Sequence, residues 1–194
     1  MPVSMCQTEP LGMIATGPGS ITRGHQGLNI RHSLTETDMT AIQGDVEGVS
    51  VRPLRRIHDD RGWLMEIFRS DWPEFQKFGQ TYMTTCRPGV VKAWHYHKLQ
   101  WDHFVPIKGN ALIGLYDSRE GSPTKGNLME VEVLEKEPRF VRIPPLVYHG
   151  FTPLDDQEIW VVNTPTELYD YKQPDEYRLE WNDPGIGYMW RRKV

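Results

Sequence analysis

The chain has 194 residues, of which 38% are hydrophobic and 25% charged, and its formal net charge is −4. This length is typical of one ordinary domain, and the composition is that of a globular protein rather than a disordered one. The charge balance argues against a general basic surface for nucleic acid, and no apolar run approaches the roughly 18 residues of a membrane helix.

Residues 1–47 show no sustained hydrophobic period and contain glycine-rich breaks such as GPGS at 17–20. We expect them to form a flexible or partner-draping extension ahead of a β-barrel domain at residues 48–194. Residues 1–10 lack the basic start and apolar core of a secretory signal, which favours a cytoplasmic protein. Cys6 and Cys86 predict reduced thiols rather than a disulfide framework.

From residue 49 onward the chain is a series of short runs typical of β-strands, separated by turn residues. The clearest is MEVEV at 129–133, whose alternation indicates a strand with one buried face. The predicted strands span residues 49–57, 63–69, 80–86, 90–97, 101–108, 111–116, 128–134, 139–143 and 158–162. One helix is predicted at 71–77, with Asp71 as its N-cap and Pro73 in its first turn. This pattern predicts an all-β sandwich or barrel with one or two short helices.

The stretch GVVKAWHYHKLQWD at 89–102 carries a pair of histidines with one residue between them. Residues two apart on a strand share a face, so His95 and His97 are expected to point the same way. Asp102 begins the next predicted strand, and His149 follows a Pro-Pro corner and would start another. Three imidazoles and one carboxylate form a ligand set suited to Fe, Mn, Co, Ni or Zn. Alternatively, these side chains are hydrogen-bonded barrel residues without a metal.

This spacing resembles the two sequence motifs of the cupin superfamily, which implies a double-stranded β-helix, or jelly-roll barrel, with the histidines inside its cavity. Within the cupins, five blocks resemble the dTDP-4-dehydrorhamnose 3,5-epimerase family in the same order. They are DDRGWLME at 59–66, VKAWHY at 91–96, GNALIGLYDSR at 109–119, IPPLVYHGF at 143–151 and WNDPGIGYMW at 181–190. The resemblance covers about residues 48–190.

The resemblance implies a homodimeric isomerase that epimerises C3, C5 or both of a dTDP-4-keto-6-deoxyhexose in deoxysugar or polysaccharide biosynthesis. The ketone acidifies the neighbouring hydrogens, so no organic cofactor is required. By resemblance His95 is the base and His149 also lies in the site. The residues that by resemblance contact the sugar nucleotide are Arg61, Glu66, Gln80, Lys92 and Tyr169.

Lys92, Ala93 and His97 stand where the family has arginine, glycine and glutamine, and two further departures remove active-site groups. The active-site lysine of the family aligns with Asp102, and its acid tyrosine aligns with Val161, which cannot donate a proton. Tyr82, on the strand before the histidine strand, is the tyrosine we favour as a replacement acid. A divalent metal held by His95, His97, Asp102 and His149 would restore the positive charge lost with the lysine.

Three functions remain open on these residues. The first is a divergent nucleotide-sugar epimerase, which the retained motif blocks favour. The second is a metal-dependent cupin with other chemistry, such as an oxygenase or isomerase. The third is a sugar-nucleotide-binding protein that has lost catalysis. The missing lysine and tyrosine favour the second or the third function, and the retained blocks at 59–66 and 181–190 also fit the third.

Overall fold

The computed structural model describes residues 42–43 and 45–191, and every regular element among them is a β-strand. The predicted all-β class is confirmed, and most of the predicted 1–47 extension lies outside the described residues. The strands are β1 (Ile42–Gln43), β2 (Ser50–Pro53), β3 (Arg56–Asp59), β4 (Gly62–Met65), β5 (Tyr82–Cys86), β6 (Lys92–Tyr96), β7 (Asp102–Lys108), β8 (Ala111–Asp117), β9 (Leu128–Val133), β10 (Arg139–Ile143), β11 (Val147–Pro153), β12 (Ile159–Asn163) and β13 (Tyr177–Arg178).

The strands form two antiparallel sheets that enclose a common core. A six-stranded sheet has the order β1-β2-β10-β7-β12-β5, and a five-stranded sheet has the order β13-β6-β11-β8-β9. Side chains from both sheets meet in one apolar cluster, with Phe104 and Val161 from the first and Leu115 and Phe151 from the second. β3 and β4 form a separate hairpin.

The hydrophobic pattern of each strand follows its surroundings. On β9 the valines at 131 and 133 are buried, whereas the glutamates between and before them are exposed, as the alternation predicted. β7 is buried over most of its length because both faces are covered. Phe104 faces the shared core, and Val105 packs with Phe140 beneath the segment that contains Phe68 and Trp72.

The predicted helix at 71–77 is wrong, since the described chain contains only turns there. The backbone bonds join residues three apart, from Phe75 N to Trp72 O at 3.0 Å, and do not continue as a helix. The Asp71 carboxylate binds Arg69 instead of capping a helix. Glu74 is buried in an ion pair with Arg52 at 3.0 Å, so contacts with the sheet override the local helical tendency.

Several strand predictions needed correction at their boundaries, and the strand predicted at 63–69 ends at Met65 as β4. The run at 49–57 is broken into β2 and β3 where Leu54 N turns to donate to Pro138 O at 2.9 Å. β11 begins at Val147, two residues before the expected start at His149. β13 was not predicted, because two residues are too short for any period to show. In the described part of the chain no helix is long and apolar enough to span a membrane.

Candidate active site

The histidine strand lies beside the strand that carries the distant histidine. β6 pairs with β11 so that His95 faces His149, and β13 pairs with β6 so that Arg178 faces His95. Facing residues on neighbouring antiparallel strands share one side of the sheet. Gly150 permits this close approach, because a Cβ there would lie 2.2 Å from the Ala93 Cβ. The ring centroids of His95 and His149 are 4.1 Å apart.

A cavity of about 580 Å³ opens between the two sheets, within the size range of small-molecule sites. Its lining contains six residues that the sequence had singled out: Gln80, Tyr82, Lys92, His95, His97 and Tyr169. His95 lies on the five-stranded sheet and Tyr82 on the six-stranded sheet. The two side chains therefore approach the cavity from opposite walls.

The structure brings together His95, His97, Asp102 and His149, which offer ligand atoms all within 4.8 Å of one another. One carboxylate oxygen, Asp102 Oδ2, lies 3.2 Å from His97 Nε2 and 3.1 Å from His149 Nε2. Burial alone would raise the pKa of Asp102, but the two imidazoles hold it well below its usual range. The carboxyl group is therefore ionised.

Backbone carbonyls fix the tautomers of two of these histidines. His149 Nδ1 lies 2.9 Å from Val147 O, and His97 Nδ1 contacts Asp175 O. A carbonyl oxygen only accepts hydrogen bonds, so each Nδ1 carries a hydrogen and each Nε2 is directed at Asp102 Oδ2. Although burial opposes it, the ionised Asp102 carboxylate raises the pKa of His97. Within the described part of the chain, neither Nε2 makes a hydrogen bond with proper geometry. Two ring nitrogens and an anionic oxygen thus converge on a small space that favours positive charge, carried either by a proton on Nε2 or by a metal ion.

The second oxygen of Asp102 belongs to a polar chain that ends at Tyr82. Asp102 Oδ1 accepts from Gln100 Nε2 at 2.8 Å and from Asn163 Nδ2 at 2.6 Å. Asn163 Nδ2 also donates to the Tyr82 hydroxyl oxygen at 2.9 Å. The Asn163 amide is oriented by His103, whose backbone N–H donates to Asn163 Oδ1 at 2.9 Å.

The Tyr82 hydroxyl group can therefore donate a hydrogen bond of its own. Its oxygen already accepts from Asn163, so its own hydrogen is left for another acceptor. Burial, followed by the charge on Asp102, raises the pKa of Tyr82 to about 12, and the phenol stays protonated at neutral pH.

His95 differs from the other two histidines because, among the described residues, no group hydrogen-bonds its ring. Burial, followed by the charge of His149, lowers the pKa of His95 well below 6.5. A neutral imidazole that faces a cavity with a free lone pair is suited to accept a proton.

The residues expected to bind the sugar nucleotide divide into two groups. Gln80, Lys92 and Tyr169 line the cavity, and Lys92 Nζ donates to Thr84 Oγ1 at 3.0 Å. Arg61 and Glu66 are not in its lining. Arg61 is at the turn of the β3–β4 hairpin, paired with Asp59, and Glu66 is paired with Arg69.

Sequence reasoning missed several residues of the site. Gln100 and Asn163 orient Asp102, and Tyr171, Glu176 and Arg178 line the cavity. Tyr171 follows the predicted Tyr169 by two residues, and this spacing was a usable signal. The other residues lie in short or polar segments, and the sequence pattern there does not show which way their side chains point.

Comparison with known proteins identifies the family. Residues 43–194 match the sequence model described as dTDP-4-dehydrorhamnose 3,5-epimerase. The chain is 42% identical over 152 residues to the probable low-salt glycan biosynthesis epimerase Agl13 of Haloferax volcanii, covering 77% of this chain and 97% of that protein. It is 38% identical to the spore coat polysaccharide biosynthesis protein SpsL of Bacillus subtilis, covering 75% of this chain and 96% of that protein.

A solved structure supports the same conclusion. The dTDP sugar isomerase from Desulfovibrio desulfuricans G20 superposes with a TM-score of 0.73 at 34% identity, covering 77% of this chain and 95% of that chain. The predicted family and the predicted cupin fold are thereby confirmed. This chain belongs to the dTDP-4-dehydrorhamnose 3,5-epimerase family.

Proposed function

We propose that the protein is a cytoplasmic, homodimeric epimerase that inverts C3, C5 or both of a dTDP-4-keto-6-deoxyhexose for glycan or polysaccharide biosynthesis. The observation that supports this most is the position of His95. A neutral imidazole with a free ring nitrogen faces a cavity large enough for a sugar. The C4 ketone makes the neighbouring C–H bonds acidic, so the reaction requires a base, an acid and a group that stabilises the enolate.

The two walls of the cavity provide the two proton-transfer groups. His95 takes a proton from one face of the sugar ring, and the electron pair moves onto the C4 oxygen as an enolate. Tyr82 then gives its hydroxyl proton to the same carbon from the opposite face, which inverts the centre. Return of a proton from the imidazolium to the phenolate through solvent restores both groups.

The pairing of β12 with β5 suggests how the acid came to lie on a different strand. Val161, at the position of the family tyrosine, faces Thr84, and Asn163 faces Tyr82. Tyr82 is therefore the diagonal neighbour of Val161 on the adjacent strand. The replacement phenol lies one strand away from the original position, held by Asn163.

A second candidate is a metal-dependent activity, favoured by the convergence of two Nε2 atoms, each a metal ligand when its ring is neutral, on the Asp102 oxygen. Separations of 3.1 and 3.2 Å are close to the roughly 3.3 Å expected between tetrahedral ligands with bonds of about 2.0 Å. Carbonyl acceptors on the opposite ring nitrogens are the usual partners of metal-binding histidines. Fe, Mn, Ni, Co and Zn suit three histidines and a carboxylate. Such an ion would polarise a ketone or activate water.

The role of His95 separates a metal-assisted epimerase from a metal enzyme with other chemistry. With His97, Asp102 and His149 as ligands, His95 would stay free as the base and the metal would supply positive charge for epimerisation. With His95 as the fourth ligand, its lone pair would be occupied and it could not act as a base, which would favour other chemistry such as oxygenation.

One experiment separates these functions. The protein is incubated in heavy water with a dTDP-4-keto-6-deoxyhexose, before and after dialysis against a chelator, and metal content is measured on the same samples. Deuterium at C3 or C5 that survives metal removal supports the metal-free epimerase. Exchange that is lost with the metal and restored by adding it supports the metal-assisted form. Binding of substrate without any exchange contradicts the proposed epimerase.

In this proposal a second copy of the chain covers the exposed β3–β4 hairpin and receives Arg61 near its nucleotide. The β3–β4 hairpin exposes Trp63 at 52% and Leu64 at 58%, an apolar surface of the kind that marks protein contacts. Arg61 on its turn has an 84% exposed side chain and does not reach the cavity of its own chain. In a homodimer the hairpin packs against the partner and brings Arg61 toward the partner's nucleotide.

A further inference from the structure

A row of side chains that face one another across neighbouring strands of the five-stranded sheet ends in the positive charge of Arg178, which the sequence did not predict. His149, His95 and Arg178 are successive cross-strand partners on β11, β6 and β13, and β13 is the edge strand. The row runs from buried His149 through half-buried His95 to Arg178, whose side chain is 74% exposed. Arg178 therefore lies at the solvent side of the same cavity wall.

The Arg178 guanidinium is available to a ligand. Among the described residues its ion-pair partner is Glu176, at 2.5 Å, and both side chains line the cavity. The arginine of this pair is mostly exposed and the glutamate is 20% exposed, so water screens the attraction and an anion can compete with the carboxylate for the guanidinium. The Arg178 charge also adds to the burial and the His149 charge that lower the pKa of His95, consistent with its closeness to the base.

The order of the groups in a sugar nucleotide, from sugar to diphosphate to nucleoside, matches the row of side chains from His149 through His95 to Arg178. Its reacting carbons belong beside His95, and the diphosphate is attached to C1 of the same ring. The bulkier nucleoside must extend toward solvent, so the diphosphate lies between the base and the cavity edge. Arg178 is one strand further out than His95, a step of about 4.8 Å.

We propose that Arg178 binds the diphosphate of the substrate, which deepens the proposed function and rests on it. A guanidinium presents a planar fork that pairs two of its N–H groups with two phosphate oxygens. Lys92, the other cation in the cavity lining, provides only a point charge and is already hydrogen-bonded to Thr84. Arg178 thus provides a guanidinium for the diphosphate within the cavity of its own chain, which Arg61 does not reach.

Calorimetric binding of dTDP and UDP to the full-length protein tests this proposal. We expect Arg178→Ala to weaken binding of these nucleotides about 10- to 100-fold, the range for a hydrogen bond to a charged group. Arg178→Lys should recover part of the loss, and added salt should reduce the difference between wild type and Arg178→Ala. The matched control is Arg191→Ala, since Arg191 is a half-exposed arginine paired with Glu132 on β9, at the other edge of the same sheet.

The outcomes distinguish the role of Arg178 from the function of the protein. Unchanged nucleotide affinity in Arg178→Ala, or equal losses in Arg178→Ala and Arg191→Ala, overturns the proposal even if deuterium exchange proves the protein an epimerase. No binding of dTDP or UDP by wild type also overturns it. Binding that depends on Arg178 without any exchange supports the diphosphate site and contradicts the epimerase.

Discussion

At the scale of single residues, position within a hydrogen-bond network separates the three site histidines. His97 and His149 have fixed tautomers because each contacts a backbone carbonyl through Nδ1. His95 has no such partner among the described residues and remains available for proton transfer. The sequence predicted that His95 and His97 share a face but could not show this difference, because the carbonyl that His97 contacts belongs to Asp175, 78 residues further along the chain.

Replacing Tyr82 by phenylalanine separates proton removal from inversion. We expect Tyr82→Phe to lose epimerised product about 100-fold or more, the usual contribution of a general acid, because no phenol supplies the opposite face. His95 can still remove the proton and return deuterium to the same face. NMR in heavy water should therefore find deuterium in the unepimerised sugar.

The control for this variant is Tyr148→Phe. Tyr148 packs against Tyr96 and the Trp94 cluster and does not line the cavity. Its replacement should leave both deuterium exchange and formation of the epimerised product at wild-type rates. Normal inversion in Tyr82→Phe would rule out Tyr82 as the acid.

At the scale of elements, some family motifs prove structural. Asp117 at the end of β8 is fully buried and pairs with Arg119 at 2.8 Å, and its second oxygen accepts from Ser122 and Thr124 at 2.6 Å. This network organises the connection from β8 to β9 rather than the cavity. In WNDPGIGYMW, Trp190 donates to Trp181 O at 3.1 Å and covers the outer face of the five-stranded sheet.

The loop network predicts an acid-sensitive contribution to stability. Burial alone would raise the pKa of Asp117, but Arg119, Ser122 and Thr124 hold it well below 3.8. The stabilisation is therefore present above about pH 4 and is lost as pH falls toward the folded pKa. Asp117→Asn should lower the free energy of unfolding by about 3 kcal/mol at neutral pH and remove this part of the acid dependence.

Urea unfolding at pH 7 and pH 3.5 measures both effects. Glu120→Gln is the control, since Glu120 pairs with Lys125 in the same loop but is 88% exposed. Its replacement should change stability by less than about 0.5 kcal/mol. Equal effects of the two substitutions would contradict the structural role given to Asp117.

The sequence predicted strands with a regular residue pattern well, but it predicted irregular segments and very short strands poorly. Alternation located β9, and runs of β-type residues between turn residues located β7 and β8. The segment at 71–77 resembled a helix locally, but burial of Glu74 against Arg52 decides its shape. The contribution of Arg178 could not be predicted, because it depends on which strand β13 joins.

At the scale of the whole molecule, two sheets hold the proposed base and acid on facing walls, and the pairing of β11 with β6 brings residues distant in sequence together. Family motifs predicted the fold and the identity of the histidines. They could not predict that Asn163 would hold Tyr82, since this contact joins neighbouring strands 81 residues apart in sequence.

The proposed homodimer is tested by light scattering coupled to size-exclusion chromatography. We expect the mass of two chains for wild type, each chain contributing 22.6 kDa. Replacing both Trp63 and Leu64 by glutamate should shift the protein toward a monomer, because charge would replace the exposed apolar surface of the hairpin. A monomeric wild type, or a dimer unaffected by these substitutions, contradicts the proposed role of the hairpin.

The most direct measurement of the central claim is deuterium incorporation from heavy water into a dTDP-4-keto-6-deoxyhexose by wild type and His95→Asn. Wild type should incorporate deuterium at C3 or C5 with inversion. His95→Asn should lose incorporation by at least about 100-fold while it stays folded and still binds dTDP. Incorporation by His95→Asn at the wild-type rate would show that His95 is not the base.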